Sequence, residues 1–211
     1  TKLLLYFIPV TVLVLVLAAF VIGSMARNST SDLTENLTKE IVGASNMSVE
    51  EWIQGILNNL KSLAVDENIQ SMDKSKYTKV LYDNVVESNG GYEMLFISEP
   101  DGVTYTHSNL KTDLKERDYF KEIINRGKAS STSNALISAT TGNTIVVFAV
   151  AIKKGNKTVG LLGATVTLNA LADKLNQIKI GKEGYVFLAD GTGLTIAHPE
   201  KEMIMSLDMT D

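Results

Sequence analysis

Apolar and polar positions divide this chain at Arg27. Leu3–Ala26 (LLLYFIPVTVLVLVLAAFVIGSMA) carries no charged residue, and Lys2 and Arg27 bracket it. About 20 apolar residues at 1.5 Å each cover the roughly 30 Å hydrocarbon core of a bilayer, so residues 3–24 are predicted to be a transmembrane helix. Pro9 is tolerated in such a helix. Ser24-Met25-Ala26 offers the small residues of a signal-peptide cleavage site. The apolar region of a signal peptide usually runs only about 7–15 residues, however, which favours an uncleaved anchor. One Lys before the run and one Arg after it specify orientation weakly.

Beyond the run the period becomes helical. Leu33, Leu37, Ile41, Trp52, Ile53, Ile56, Leu57, Leu60 and Leu63 recur at 3–4 spacing and predict one long helix over 28–65. Gly43–Asn46 is its weak point, and Ser48 with Glu51 resembles a capping box that would restart it. Ser75–Glu87 reads as a second helix, ended by Asn89-Gly90-Gly91. The pattern then alternates. Tyr92–Ser98, Val103–His107, Leu136–Ser138, Thr144–Ile152 and Thr158–Leu168 read as strands joined by turns at Pro100-Asp101-Gly102, Thr141-Gly142-Asn143 and Lys154-Gly155-Asn156. A short helix falls at Asp118–Asn125 and a connecting helix at Asn169–Ile178. Gly184–Ala189 and Leu194–Ala197 begin another hairpin that repeats the earlier plan, FISEPDGVTYTH against VFLADGTGLTIAH. Helices followed by antiparallel strands predict an α+β domain with its helices against one face of the sheet.

Composition narrows the function. The 211 residues carry a formal net charge of −4 and no Lys/Arg-rich run, which argues against a nucleic-acid partner. The absence of cysteine excludes a disulfide scaffold, a thiolate zinc site and a cysteine nucleophile. No HExxH, EF-hand, GxSxG or Walker pattern occurs, so neither a metal, a cofactor nor a catalytic residue is expected. SxxK occurs at Ser71–Lys74 and Ser108–Lys111 without the motifs that accompany it in penicillin-binding enzymes. His107 and His198 hold matching repeat positions, which points to a structural role at strand ends.

The best chemical feature is Arg117-Asp118-Tyr119-Phe120. A guanidinium beside two aromatics can grip an anion through its planar fork while the rings enclose an organic ligand. The same residues also fit an Arg–Glu surface pair with both rings anchoring a short helix, and the residues alone leave both readings open. Tyr105, on the strand just before, could add a hydroxyl.

The apolar helix, the long helix, FISEPDG, RDYF, the TTGN turn, VGLLGATV and GKEGYVFLADGTGLTIAHPEKE together resemble a double Cache (dCache) sensor ectodomain of bacterial methyl-accepting chemotaxis receptors. The resemblance implies two PAS-like subdomains on a long N-terminal helix, pairing as a homodimer through that helix, with the ligand held in the membrane-distal subdomain outside the cytoplasm. It assigns residues 66–168 to that subdomain, 169–180 to a connecting helix and 181–211 to the start of a membrane-proximal subdomain left incomplete at Asp211. A second membrane helix and cytoplasmic signalling modules would follow. A sensor histidine kinase or diguanylate cyclase could carry the same ectodomain; an anchored hydrolase or an adhesion module are the rivals from other classes.

By the same resemblance, the amino-acid-binding branch holds the ligand carboxylate with an aromatic and an Arg-x-Trp-Tyr motif. It holds the ammonium with a Tyr-x-Asp pair and a later Asp. Arg117 matches, and Tyr119 and Phe120 stand at the aromatic places. Thr112 stands for the leading tyrosine, Leu136 and Ser138 for the Tyr-x-Asp pair, and Thr165 for the later aspartate. Arg117, Tyr119, Phe120, Ser138, Thr165 and Tyr105 are therefore the expected ligand-binding residues. A buried ammonium without a carboxylate costs roughly several kcal/mol, so the expected ligand is a carboxylate or other small polar compound without an amine.

Overall fold

The computed structural model describes residues 49–177 and 184–206, all within one compact unit, Ser48–Asp211. The apolar run at 3–24, the first part of the long helix and the Gly43–Asn46 break lie outside the described residues. Among the described residues no helix is long and apolar enough to cross a membrane.

The chain enters through helix α1, residues 49–63. Its 3–4 stripe meets the core as expected, with Ile56, Leu57 and Leu60 buried and Trp52 edge-on to Phe148, ring centroids 6.4 Å apart. Two capped helices follow, α2 (Glu67–Gln70) and α3 (Lys74–Glu87). Asp66 and Asp73 accept from the backbone N–H groups of Asn68 and Ser75, satisfying donors that a helix start leaves open. α3 stops where Asn89 and Gly90 turn to positive φ.

The strands are β1 (Met94–Ser98), β2 (Val103–Thr106), β3 (Lys111–Asp113), β4 (Ser130–Thr132), β5 (Leu136–Ile137), β6 (Thr144–Lys154) and β7 (Lys157–Thr167). They form one antiparallel sheet in the order β3-β2-β1-β7-β6-β4, with β5 on β6 beyond β4. Between β3 and β4 the expected helix is a single α turn, α4 (Asp118–Phe120), running into a π-helical turn at Lys121–Asn125. Helix α5 (Leu168–Leu175) leaves β7, and a hairpin of β8 (Leu188–Ala189) and β9 (Thr195–Ala197) packs against it.

β1, β6 and β7 are buried on both faces, so their sequences read as unbroken apolar runs. Leu95, Ile97, Phe148, Val150, Leu162 and Ala164 face α1–α3 and α5. Phe96, Val147, Ala149 and Leu161 face the opposite way, toward Leu114, Tyr119, Phe120 and Ile123. Helices thus cover one face fully, while the segment 114–125 covers the other only in part. The remaining gap on that second face is the site.

Candidate ligand site

Strand alternation decides which side chains reach the gap. On β1, Met94 and Phe96 point into it; on β2, Thr104 and Thr106; on β7, Thr165. Leu114, Arg117 and Tyr119 form one wall, and Leu136 with Ser138–Thr140 the other. The cavity is partly open to solvent and about 20 Å³ in volume, room for about one water between its walls. No Asp or Glu lines it.

Four of the six expected residues, Arg117, Tyr119, Ser138 and Thr165, meet around this cavity, and so do Thr112 and Leu136. Two do not. Phe120 is 1% exposed and packs into the core beside Ile123 and Leu161 rather than lining the gap. Tyr105 lies between inward-facing Thr104 and Thr106, so its ring projects from the other face of the sheet, with Lys74 Nζ 4.0 Å and Lys111 Nζ 6.0 Å from its centroid.

Arg117 is the N-cap residue of α4, with extended backbone (φ −73°, ψ 138°), and is half-buried. One guanidinium nitrogen donates to the Ile137 carbonyl at 3.3 Å. The neighbouring glutamates are engaged elsewhere: Glu116 with Lys121 at 2.8 Å, and Glu122 with Lys128 at 2.7 Å and Arg126 at 3.8 Å. Among the described residues no carboxylate lies within ion-pair distance of Arg117, so the surface-pair reading of RDYF fails for this arginine. Its fork keeps donors for an incoming anion. Tyr119 is 3% exposed and tilts against Phe96 with ring centroids 6.4 Å apart. Burial pushes its phenol pKa well up, only partly opposed by Arg117, so the ring stays neutral.

Several hydroxyls around the cavity are already engaged. Thr104 donates to Ser98 at 2.8 Å, and Ser138 Oγ accepts from the N–H groups of Thr140 and Thr141. Thr165 donates to Glu93 Oε2 at 3.1 Å. Glu93 Oε1 also accepts from Thr141 Oγ1 at 2.9 Å and Asn143 Nδ2 at 2.6 Å. Nothing local in the sequence marks this carboxylate, because its partners are 48 to 72 residues away. His107 and His198 follow β2 and β9 directly and lie away from the cavity, and His198 Nδ1 accepts from the Glu200 N–H at 3.0 Å. The described residues contain no group of His, Cys, Asp or Glu arranged for a metal.

This arrangement, a sheet carrying an arginine-edged cavity on the face opposite a long helix, agrees with a family match. The model of the Cache domain, in its dCache_1 form, fits residues 24–211. The chain belongs to the Cache domain family. Relatives of this Cache domain include the methyl-accepting chemotaxis protein McpB of Bacillus subtilis, 23% identical over 93% of this chain and 30% of that protein. McpA of Pseudomonas putida is 26% identical over 92% of this chain and 31% of that protein. The chain therefore spans about a third of the length of these relatives. Among solved structures, the ligand-binding domain of the Pseudomonas fluorescens chemoreceptor CtaA with L-alanine is similar at TM-score 0.67 and 22% identity, covering 81% of this chain and 74% of that one. The domain of the Pseudomonas aeruginosa chemoreceptor PctC with GABA follows at 0.66 and 19%, covering 82% and 80%. At such identities the likeness establishes the fold of this Cache domain.

Proposed function

We propose that this Cache domain is the extracytoplasmic sensing region of a transmembrane chemoreceptor, binding a small carboxylate ligand in the cavity edged by Arg117. The observation that carries the reading is the Arg117 fork, which stands at a cavity wall without a carboxylate partner among the described residues. Residues 66–168 form the ligand-binding subdomain. The 3–24 run anchors it, the helix over 28–65 links the two and pairs with a second copy, and 181–211 begin the membrane-proximal subdomain.

Arg117 grips the ligand carboxylate, Tyr119 encloses its carbon skeleton, and Ser138 and Thr165 border its far end. The amino-acid complexes of CtaA show what that relative binds. Here the lining carries no carboxylate to neutralise an ammonium, and all three donors around Glu93 belong to the protein. A ligand without an amine suits the site better. No residue is assigned a catalytic role.

Calorimetry of residues 28–211 against acetate, propionate, pyruvate, succinate, L-alanine and GABA tests this. A simple carboxylate is expected to bind, and the Arg117→Ala change to weaken it by about 1.5–3 kcal/mol. Binding of L-alanine with no response to propionate or pyruvate would reverse the ligand class.

A further inference from the structure

The second wall of the cavity, residues 135–143, pairs with β6 through Leu136 and Ile137 and is further tied by three side chains, two acidic and one basic, that come from three different parts of the chain. Glu93, at the entrance to β1, accepts from Thr141 Oγ1 and Asn143 Nδ2. Arg117, at the start of α4, donates to the Ile137 carbonyl. Asp190, in the hairpin beyond α5, accepts from the Ala135 N–H through Oδ2 at 3.1 Å. Leu136, Ser138, Ala139 and Thr140 of the same segment line the cavity. Because the cavity is only about 20 Å³ between its walls, an organic molecule seated in it bears directly on this segment.

The three ties are unequal. The Arg117 bond is the longest at 3.3 Å, and an anion in the cavity would compete for the same guanidinium. The Asp190 tie is built into a turn. Its other oxygen, Oδ1, accepts from the Thr192 N–H at 2.9 Å, the Thr192 hydroxyl at 2.5 Å and the Leu194 N–H at 3.3 Å. One carboxylate therefore shapes the β8–β9 turn and holds the cavity wall at once. The contact is close on a second count: a Cβ on Gly191 would stand 3.2 Å from Asn134 Oδ1. Partial burial acts to raise the pKa of Asp190, but hydrogen bonds from Thr192, Ala135 and Leu194 outweigh it and hold the carboxyl below its ordinary value.

We propose that residues 135–143 form a movable strap, and that Asp190 is the positioning residue which makes the β8–β9 hairpin follow the strap when Arg117 releases Ile137. The sensing role proposed above supplies the trigger, an anion that takes Arg117. The hairpin is then the first element beyond the ligand-binding subdomain to register it, and coupling runs through a physical chain of bonds with two arrangements.

The test needs no ligand, so its failure is separate from failure of the ligand assignment. Amide hydrogen exchange is followed on the full chain in peptides covering 133–143, 188–197 and, as a folding reference, 145–167. The Arg117→Ala change is expected to speed exchange in 133–143 by about threefold to tenfold, and to speed 188–197 alongside it. The Asp190→Asn change keeps one acceptor oxygen for the turn but replaces the other with an amide that cannot accept from Ala135. In that background Arg117→Ala is expected to accelerate the strap and leave 188–197 unmoved. Thr192→Val, which trims the turn and spares the Ala135 bond, is expected to preserve the joint response. A hairpin that ignores Arg117→Ala while the strap responds, or one that follows it equally in the Asp190→Asn background, overturns the proposal. Should 145–167 accelerate as well, Arg117→Gln repeats the comparison with the same two outcomes.

Discussion

The Thr165 hydroxyl donates to Glu93 Oε2 across 3.1 Å, joining the end of β7 to the entrance of β1. Thr165 is 3% exposed, whereas the other donors to Glu93, Thr141 and Asn143, are exposed. Removing the carboxylate therefore strands one buried hydroxyl and lets two surface groups return to water. Glu93→Ala is expected to lower the unfolding free energy by about 1–3 kcal/mol in urea titrations. Glu93→Gln keeps an acceptor and gains a donor that Thr165 can accept from, so its loss is expected to be about half as large. Thr165→Val removes donor and need together and is expected to be nearly neutral. Glu93→Ala indistinguishable from the parent would show that this bond contributes nothing.

Arg117 separates affinity from stability. It is half-buried and makes one hydrogen bond at 3.3 Å within the described residues. Arg117→Ala should therefore shift the unfolding midpoint little, within about 1 kcal/mol. Carboxylate affinity should fall much further, by about 1.5–3 kcal/mol. Arg117→Lys keeps the charge and loses the planar fork, so it is expected to fall between parent and alanine in calorimetry. A stability loss as large as the affinity loss would make this arginine structural.

Much of this architecture was legible from period alone. The 3–4 stripe of Ile56, Leu57 and Leu60, the Asn89-Gly90 stop and the 11-residue strands β6 and β7 all follow local rules. What escaped has a common cause. β3 is Lys-Thr-Asp and β4 is Ser-Ser-Thr, too short and polar to announce a strand, and they exist because β2 and β6 offer ladders. The π-helical turn at Lys121–Asn125 likewise leaves no mark on a helical period. Arg117, Tyr119, Ser138 and Thr165 were readable through the resemblance, and the fold brings them to one cavity. Tyr105 offers a hydroxyl next to RDYF in sequence, whereas alternation with Thr104 and Thr106 turns it to the other face. The Glu93 cluster and the Asp190–Ala135 bond leave no local signal, because those partners lie 48 to 72 residues apart in the chain.

Gly163 sets how close the cavity floor can come to the sheet. It pairs directly with Phe96, whose ring lies across it. An added Cβ would fall 2.7 Å from both ring Cε atoms and nearer still to Cζ. Phe96 must then swing toward Tyr119 and the cavity. Gly163→Ala is expected to destabilise by about 1–3 kcal/mol through overpacking and to reduce carboxylate binding in the fraction that folds. Phe96→Leu, which shortens the ring's reach, is expected to relieve part of the cost in a double-mutant cycle. Simple additivity of the two changes would mean that the backbone, and not the ring, accommodates the methyl group.

The last prediction concerns pH. His107 follows β2 with its ring tilted toward Tyr82, centroids 6.4 Å apart, and its Nδ1 is shut away from solvent with no hydrogen-bond partner among the described residues. Burial lowers its pKa, opposed only by the Leu95 backbone acting on the ring. The folded state therefore takes up a proton less readily than the unfolded chain, whose imidazole titrates near 6.5. Above that value both states are neutral and the stabilisation is complete. As pH falls through 6.5 toward the lower folded value, the unfolded state binds the proton first and stability declines. The depressed carboxyls of Asp73, Glu116, Glu122 and Asp190 act in a separate window, losing their contribution only as pH falls below the ordinary carboxylate range. Urea midpoints between pH 8 and pH 5 are therefore expected to fall in the parent and to flatten in His107→Gln. A slope that survives this substitution would assign the titration to another group.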